Sequence, residues 1–437
     1  MKKLTLLALG LLLTFADTFA EGEYREVSGV YVGGHIRRER PGTITKLRNS
    51  GFTYVILFNV HVEADGTLKT DGETICENGE YVFYRTQPYY QQDVANLKTA
   101  PTSITRIEIC VGGAGDGSYN NIKSFINSKG TGSNTMLYKN FKALKEAVPE
   151  IEAVNNDIES GWDVSTSAKF HIMMANIGYK TTYCPYNLKD YYWVPLHNQI
   201  RASKPKAVDR VMVQCYDGGA GNVSSNVLGT WNFTGVTERH AGLMYYSNDW
   251  SVDKNMAQFQ KWKDDGVATG GFVWVYNSEE WNLNAWAAGI NRIYGAITVP
   301  EDEVAVKCYS EKNYKGYCVS LPPGEYCQSD LAVYGLAAKD LSSLEIVDDM
   351  YQVILYKTTD HSSNTKLTRK ASTRALSASW DNQVCSLIIE INPTGIKDLK
   401  DDRQQTTDNR IYNLSGQRLD KMQKGINILN GKKIMVK

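Results

Sequence analysis

Five consecutive residues, Asn155-Asn156-Asp157-Ile158-Glu159, carry the densest chemistry in the chain. If they end a strand, side chains two apart share a face, so Asn155, Asp157 and Glu159 point the same way. Two carboxylates that close do not both ionise freely, and one is expected to keep its proton near neutral pH. Such an acid is what a glycosidase needs to protonate a leaving oxygen. A solvated strand end or a helix N-cap cluster would use the same residues without chemistry. A second group, Gln214-Cys215-Tyr216-Asp217-Gly218-Gly219, offers an amide and a phenol in phase at Gln214 and Tyr216. In Phe272-Val273-Trp274-Val275-Tyr276, Trp274 and Tyr276 share the parity of Phe272; a Trp there floors a sugar subsite or fills a core. Cys110-Val111-Gly112-Gly113 ends another apolar run, and its glycines allow a tight turn or close approach to the backbone.

These groups need a frame. Strand-like runs fall at 27–32, 53–60, 104–111, 151–159, 180–185, 210–216, 241–246 and 271–276. Helical patterns lie between them, for example at 91–98, 134–147, 165–176, 191–201, 253–263 and 279–292. Many of the strands are continuously apolar, as expected where helices cover both faces of a parallel sheet. Eight strands alternating with helices over roughly 270 residues have the size and count of a (β/α)8 TIM barrel, whose functional residues collect at the C-terminal strand ends. An open doubly wound sheet is the competitor, but Gly33-Gly34 after the first strand is not a G-x-G-x-x-G loop. Residues 296–303 read as a linker. Residues 304–391 give short strands, turn residues and no convincing helix, so the fold class is α/β followed by a small all-β domain.

Composition narrows the partners. The 437 residues hold 48 Lys+Arg against 48 Asp+Glu, which argues against nucleic acid as the main partner. With 42% hydrophobic residues the chain is not a disordered one. Its 27 Tyr and 9 Trp beside 11 Phe favour half-wet surfaces such as sugar clefts, or simply β-rich structure. Lys2 and Lys3, an apolar run at 4–15 and a small-residue site ending at Ala20 read as a signal peptide, so an exported protein without a membrane span is expected, secreted or at the cell surface or periplasm. No cysteine adjoins that site to make a lipoprotein anchor. Export permits disulfides. Cys110, Cys184 and Cys215 sit in strands as buried thiols, and a bridge among Cys308, Cys318 and Cys327 is expected, its pairing open. The eight Cys and six His show no metal-ligand spacing.

The four strand-end groups together resemble glycoside hydrolase family 18, the chitinase and endo-β-N-acetylglucosaminidase family, over about residues 27–297. Its strand-four signature D-x-x-D-x-D-x-E aligns with Glu152, Asn155, Asp157 and Glu159; the last two match and the first two depart conservatively. Its strand-three S-x-G-G appears as Cys110-Val111-Gly112-Gly113, its strand-six tyrosine as Tyr216 and its strand-eight tryptophan as Trp274. The resemblance implies retaining, substrate-assisted hydrolysis of a β-1,4 bond next to GlcNAc, in chitin oligosaccharides or the chitobiose core of N-glycans. Glu159 is then the general acid and base. Asp157 holds the acetamido N–H, Tyr216 its carbonyl with help from Gln214, and Trp274 the sugar face. Asn155 replaces an acid that normally couples to Asp157, so reduced or pH-shifted activity is expected. Gln-x-Tyr on strand six resembles endo-β-N-acetylglucosaminidases and plant-type chitinases alike. Tyr119, Tyr186, Trp193 and Trp250 are further subsite candidates, with packing the commoner role. The alternative is a non-catalytic barrel that binds glycans or a protein; it has no physical need for the acid pair together with Tyr216.

Tyr309-Ser310-Glu311-Lys312-Asn313-Tyr314-Lys315-Gly316 resembles the hairpin of a βγ-crystallin Greek key, with a second, weaker copy from Tyr356 to Ser386. Some relatives bind Ca²⁺; here the nearest match is Asp381, Asn382 and Ser386, with Cys385 in a ligand position, so calcium is a weak expectation and no other cofactor is implied. The segment 411–437 resembles the C-terminal sorting-type tails of exported Bacteroidales proteins. The expected division is signal 1–20, barrel 21–298, crystallin-like module 303–391, and linker and tail 392–437.

Overall fold

The computed structural model describes residues 24–244, 251–393, 411–413, 418–419, 421–429 and 432–436. The expected signal peptide, Trp250 and most of the late linker lie outside the described residues.

Eight parallel strands close on themselves: β1 (Ser28–Val32), β2 (Tyr54–Val62), β3 (Arg106–Gly112), β4 (Ile151–Asp157), β5 (Lys180–Tyr183), β6 (Val208–Gln214), β7 (Glu238–Leu243) and β8 (Gly270–Val273). Each pairs in parallel with the next, and Gly29 of β1 lies opposite both Tyr54 of β2 and Phe272 of β8, which closes the ring. This is a TIM-like barrel, with all eight strands where the apolar runs placed them. Several strands stop earlier than their apolar runs, so Glu159, Tyr216 and Trp274 stand just beyond β4, β6 and β8 on the connecting loops.

Helices α1 (Gly42–Arg48), α2 (Tyr90–Leu97), α3 (Ser118–Lys129), α4 (Met136–Ala147), α5 (Val164–Ile177), α6 (Val194–Ser203), α7 (Val252–Asp264) and α8 (Leu283–Tyr294) cover the outside. Local chemistry sets their starts: Thr135, Asp163 and Ser251 accept a backbone N–H from the first turns of α4, α5 and α7. The polar helix α3 buries Tyr119, Ile122, Phe125 and Ile126 on one face. Past β2 the chain also makes an antiparallel excursion, Leu68–Thr70, Glu73–Glu77 and Glu80–Tyr81, which pairs back onto Val62.

Strand alternation gives the barrel two cores. Outward side chains such as Val30, Val55, Ile107, Val154 and Val213 pack under the helices. Inward ones, Tyr31, Tyr54, Ile56, Cys110, Met212 and Phe272 with Cys184 and Tyr216, fill the lumen.

The module has a third core, from Ala305 to Ile389. Its strands are β9 (Val306–Glu311), β10 (Lys315–Leu321), β11 (Gly324–Tyr326), β12 (Ser343–Ile346), β13 (Tyr351–Tyr356), β14 (Lys366–Arg369) and β15 (Ser386–Ile391). They form two antiparallel sheets, ordered β10-β9-β12 and β11-β15-β13-β14. The expectation of no helix fails: α9 (Gln328–Tyr334) is capped by a side-chain to backbone exchange between Cys327 and Asp330. That helix packs on α8. Asn291 Nδ2 donates to Gly51 O (2.8 Å) and Ala332 O (3.0 Å), Arg292 donates to Gly335 O (2.6 Å) and lies 3.7 Å over the Tyr317 ring. A Cβ on Gly51, which has φ +90°, would stand 2.2 Å from that of Ala332. The module is therefore docked firmly against the barrel wall.

The expected disulfide is absent, because all eight cysteines are free. Cys308 points into the module core while Cys318, on the paired strand, is exposed on the opposite face. Cys327 is spent at the α9 N-terminus, its Sγ 2.8 Å from Asp330 Oδ2. Residues from Pro393 form a separate unit, which contains a four-stranded antiparallel sheet of Ile411–Asn413, Arg418–Leu419, Gly425–Leu429 and Lys432–Val436. Among the described residues no helix is long and apolar enough to cross a membrane.

Candidate active site

Asp157 ends β4 in the lumen and is buried. Its hydrogen-bonding neighbours are neutral. Gln214 at the end of β6 donates Nε2–H to Asp157 Oδ1 at 2.8 Å. The Cys110 thiol of β3 lies 3.9 Å from Oδ2. Cys184, just past β5, shares Gln214, whose Nε2 also reaches the Cys184 carbonyl (3.2 Å) and sulfur (3.6 Å). Among the described residues no cation pairs with Asp157. Burial, and then the nearby Glu159 carboxylate, push its carboxyl up to about 8. Glu159 is half-buried; burial first and the Asp217 carboxylate second raise its carboxyl too. Among the described residues Glu159 makes no hydrogen bond or ion pair, so its carboxyl is free to meet a ligand.

Gly112 holds this geometry. Its φ is +107°, and a Cβ there would lie 2.2 Å from the Asp157 carbonyl oxygen, which accepts a hydrogen bond from Gly113 N (2.7 Å). The glycine is thus required by the turn and by the β4 backbone packed against it.

Tyr216 is buried beside Phe272 (ring centroids 6.3 Å), and among the described residues its hydroxyl makes no hydrogen bond. Trp274 is half-buried and meets Tyr31 and Phe58 edge-on, at 5.2 and 4.8 Å. Asn155 is in the lumen but does not touch Asp157: its Oδ1 accepts from the Tyr31 hydroxyl (2.9 Å), which by rotation serves Cys184 Sγ (3.0 Å) instead, and its Nδ2 faces Met212 Sδ (3.5 Å). Glu152 lies outside the barrel, paired at 2.5 Å with Lys98 just past the end of α2. So Asn155, Asp157, Gln214, Tyr216 and Trp274 gather at one barrel mouth with Glu159 beside Asp157, and Glu152 does not join them.

Of the further aromatics, Tyr119 and Trp193 are buried packing residues. Tyr186 is half-buried against Gly218 and close enough to Glu159 for that carboxylate to raise its phenol, after burial. Trp162, three residues after Glu159, meets Tyr186 edge-on at 6.4 Å. Tyr31 and Phe58 were missed as site residues, although the inward parity of β1 and β2 points to both. Asp116 was also missed. It pairs with His61, accepts from Asn59 (3.2 Å) and takes the Ser160 hydroxyl on its carbonyl (2.9 Å), which ties the loop after β3 to the segment carrying Glu159. Its position in an irregular loop gives it no periodic signal.

The calcium candidates do not converge. Asp381 Oδ2 pairs with the Lys312 ammonium (2.8 Å), Asn382 Oδ1 accepts from Ser342 (3.1 Å), and the Ser386 hydroxyl donates to the carbonyl of Asp360 (2.7 Å) or of Thr358 (3.0 Å). A cation at Asp381 would have to displace an ammonium, so these residues do not fit Ca²⁺. Among the described residues no group of three or more His, Cys, Asp or Glu could hold a metal.

No protein-family model matches the chain, and no curated protein matches it. Solved structures similar to it are βγ-crystallin domains. One from Flavobacterium johnsoniae is 29% identical and covers 21% of this chain and 98% of its own, with TM-score 0.20. One from Clostridium beijerinckii is 30% identical over 20% of this chain and 95% of its own, with TM-score 0.19. The N-terminal domain of protein S is 26% identical over 20% and 97%, also at TM-score 0.19.

Proposed function

We propose that the chain is an exported glycoside hydrolase that cleaves β-1,4 bonds next to GlcNAc by retaining, substrate-assisted catalysis. One observation carries the reading: a buried carboxyl, Asp157, with only neutral hydrogen-bond donors among the described residues, stands next to a second carboxyl, Glu159, that has no partner among them, at the C-terminal mouth of a barrel. Such a pair holds a proton through neutral pH, which serves proton transfer and costs stability.

Glu159 protonates the glycosidic oxygen. The substrate's own acetamido oxygen attacks the anomeric carbon, and the aglycone leaves with the proton. The ionised Asp157 accepts the acetamido N–H and balances the positive charge that develops on the resulting ring. The free Tyr216 hydroxyl donates to the acetamido oxygen, Gln214 fixes Asp157, and Trp274 supports the sugar face. Water then adds as Glu159 takes a proton from it, and configuration is retained. The substrate is chitin oligosaccharide or N-glycan core. We read the module as a pair of Greek keys that stabilises the barrel or positions glycan, and the late segment as a surface-sorting tail.

A second reading, a glycan- or protein-binding barrel without turnover, is favoured by Asn155, whose amide serves Tyr31 and which offers Asp157 no carboxyl from position 155. Fluorogenic chitobiose and chitotriose and a high-mannose glycoprotein, with Glu159→Gln as control, separate the two. Turnover lost in Glu159→Gln supports the hydrolase; tight glycan binding by both proteins without turnover selects the binder. Turnover of the glycoprotein alone selects the N-glycan core as substrate.

A further inference from the structure

The environment of Asp157 contains two thiols where a polar cavity would hold hydroxyls or water. Cys110 approaches from β3 and Cys184 from the end of β5, both buried, and both thiols hydrogen-bond Asp157, which lowers its carboxyl by less than burial and Glu159 raise it. The remaining ionisable groups around the carboxyl are Glu159 on its own segment, Asp116 in the loop after β3, and the phenols of Tyr31, Tyr119, Tyr186 and Tyr216. Tyr31 spends its proton on Asn155 or Cys184. One amide N–H, from Gln214, is thus the only strong donor to Asp157 among the described residues. A thiol is a weak donor and a poor substitute for a hydroxyl in holding an anion.

We propose that Cys110 and Cys184 are positioning residues: standing where hydroxyls would donate more strongly, they leave the shared proton on Asp157 in the resting site. Their weak donors leave the buried anion undersolvated, so Asp157 holds the proton and Glu159 stays ionised. When a substrate amide N–H arrives at Asp157, it supplies the missing donor. The proton then passes from the Asp157 carboxyl to the Glu159 carboxylate, leaving Asp157 ionised and Glu159 armed as the acid. The transfer step rests on the hydrolase reading; the thiol effect on Asp157 does not.

The test uses the full chain as wild type, Cys110→Ser, Cys184→Ser, the double Ser variant and the matching Ala variants. Thermal unfolding is followed from pH 5 to 9, and the pH profile of turnover is recorded. With serine, the alkaline limb of turnover should move down by about one pH unit, because a hydroxyl stabilises the anion. The loss of Tm between pH 5 and 9 should shrink in the Ser variants and not in the Ala variants. A packing effect alone would move Tm equally at every pH. If Ser and Ala variants keep the wild-type pH dependence, or change it equally, the proposal is overturned. If one Ser variant does not fold, the other carries the same comparison. No turnover in any form, with the thermal pattern as expected, sinks the hydrolase reading and supports the thiol effect.

Discussion

Asp157→Asn should stabilise the protein at alkaline pH while abolishing turnover. The asparagine keeps the shape, and its Oδ1 can still accept from Gln214. What disappears is the cost of a buried carboxyl held at about 8 against an ordinary value of 3.8. Four pH units at about 1.4 kcal/mol each set a ceiling of about 6 kcal/mol. Glu159 shares the penalty and the mouth can admit water, so about 3 kcal/mol is a fair expectation. The sign follows from linkage. The folded-state value is raised, so the wild-type contribution is intact below about pH 4 and is lost as pH rises through about 8. The Tm difference between variant and wild type should therefore be small at pH 4 and grow to a plateau above pH 8. At roughly 1 °C per kcal/mol for a chain of 437 residues, the plateau is about 3 °C. Differential scanning at pH 4, 6, 8 and 9 measures it. A Tm difference that is flat with pH, or that shrinks toward pH 9, would refute the buried, proton-holding carboxyl and with it the argument for the site.

Four other outcomes are expected. Gly112→Ala drives a Cβ into the Asp157 carbonyl at a positive φ; it should cost at least about 2 kcal/mol in Tm measurements and eliminate turnover. His171 and His240 are buried and neutral, with burial lowering them to about 3 and about 4. Their stabilising contribution is full above pH 6.5 and is lost as pH falls toward 4, by up to ~1.4 kcal/mol per pH unit for each; Tm in the Asp157→Asn background should show it, and a flat profile would contradict it. Arg292→Ala removes the bond to Gly335 and the stack on Tyr317; a loss of about 2–3 kcal/mol at the docking face should split one calorimetric transition into two. Millimolar Ca²⁺ should leave Tm unchanged, since Lys312 already neutralises Asp381; a rise that EDTA reverses would overturn that.

Much of the barrel was legible because its signal is local and redundant. Strand-like runs, many of them continuously apolar, marked all eight strands, and strand parity placed Asn155, Asp157 and Gln214 in one lumen. What failed depends on partners distant in sequence. Helix α9 exists because Cys327 and Asp330 cap it and α8 covers it. The thiol bridge was expected from proximity along the chain, whereas alternation across β9 and β10 sends Cys308 inward and Cys318 outward. Asp116 sits in an irregular loop, and its role comes from contacts with His61, Asn59 and Ser160. Glu152 was aligned by motif spacing, but its even position places it outside the barrel with Lys98.

The two ends of the lumen bury carboxylates in opposite ways, and the contrast is the strongest physical argument for where the chemistry lies. At the N-terminal end Glu108 is buried with Arg106 at 2.7 Å and Arg210 at 3.7 Å. Arg106 also pairs with Asp209, Arg210 with Glu26, and Tyr54 bonds His240 and lies under the Arg210 guanidinium. Every charge there has a counter-charge, as a structural plug requires, because a buried ion is tolerable only when paired and hydrogen-bonded. At the C-terminal end Asp157 has an amide and two thiols, and Glu159 has no partner among the described residues. The barrel has arginines in its lumen, yet none pairs with this carboxyl. A fold selected for stability alone would gain by pairing or removing Asp157. Keeping it unpaired, beside a second acid and a free phenol, is costly in a way that proton transfer at a ligand would explain.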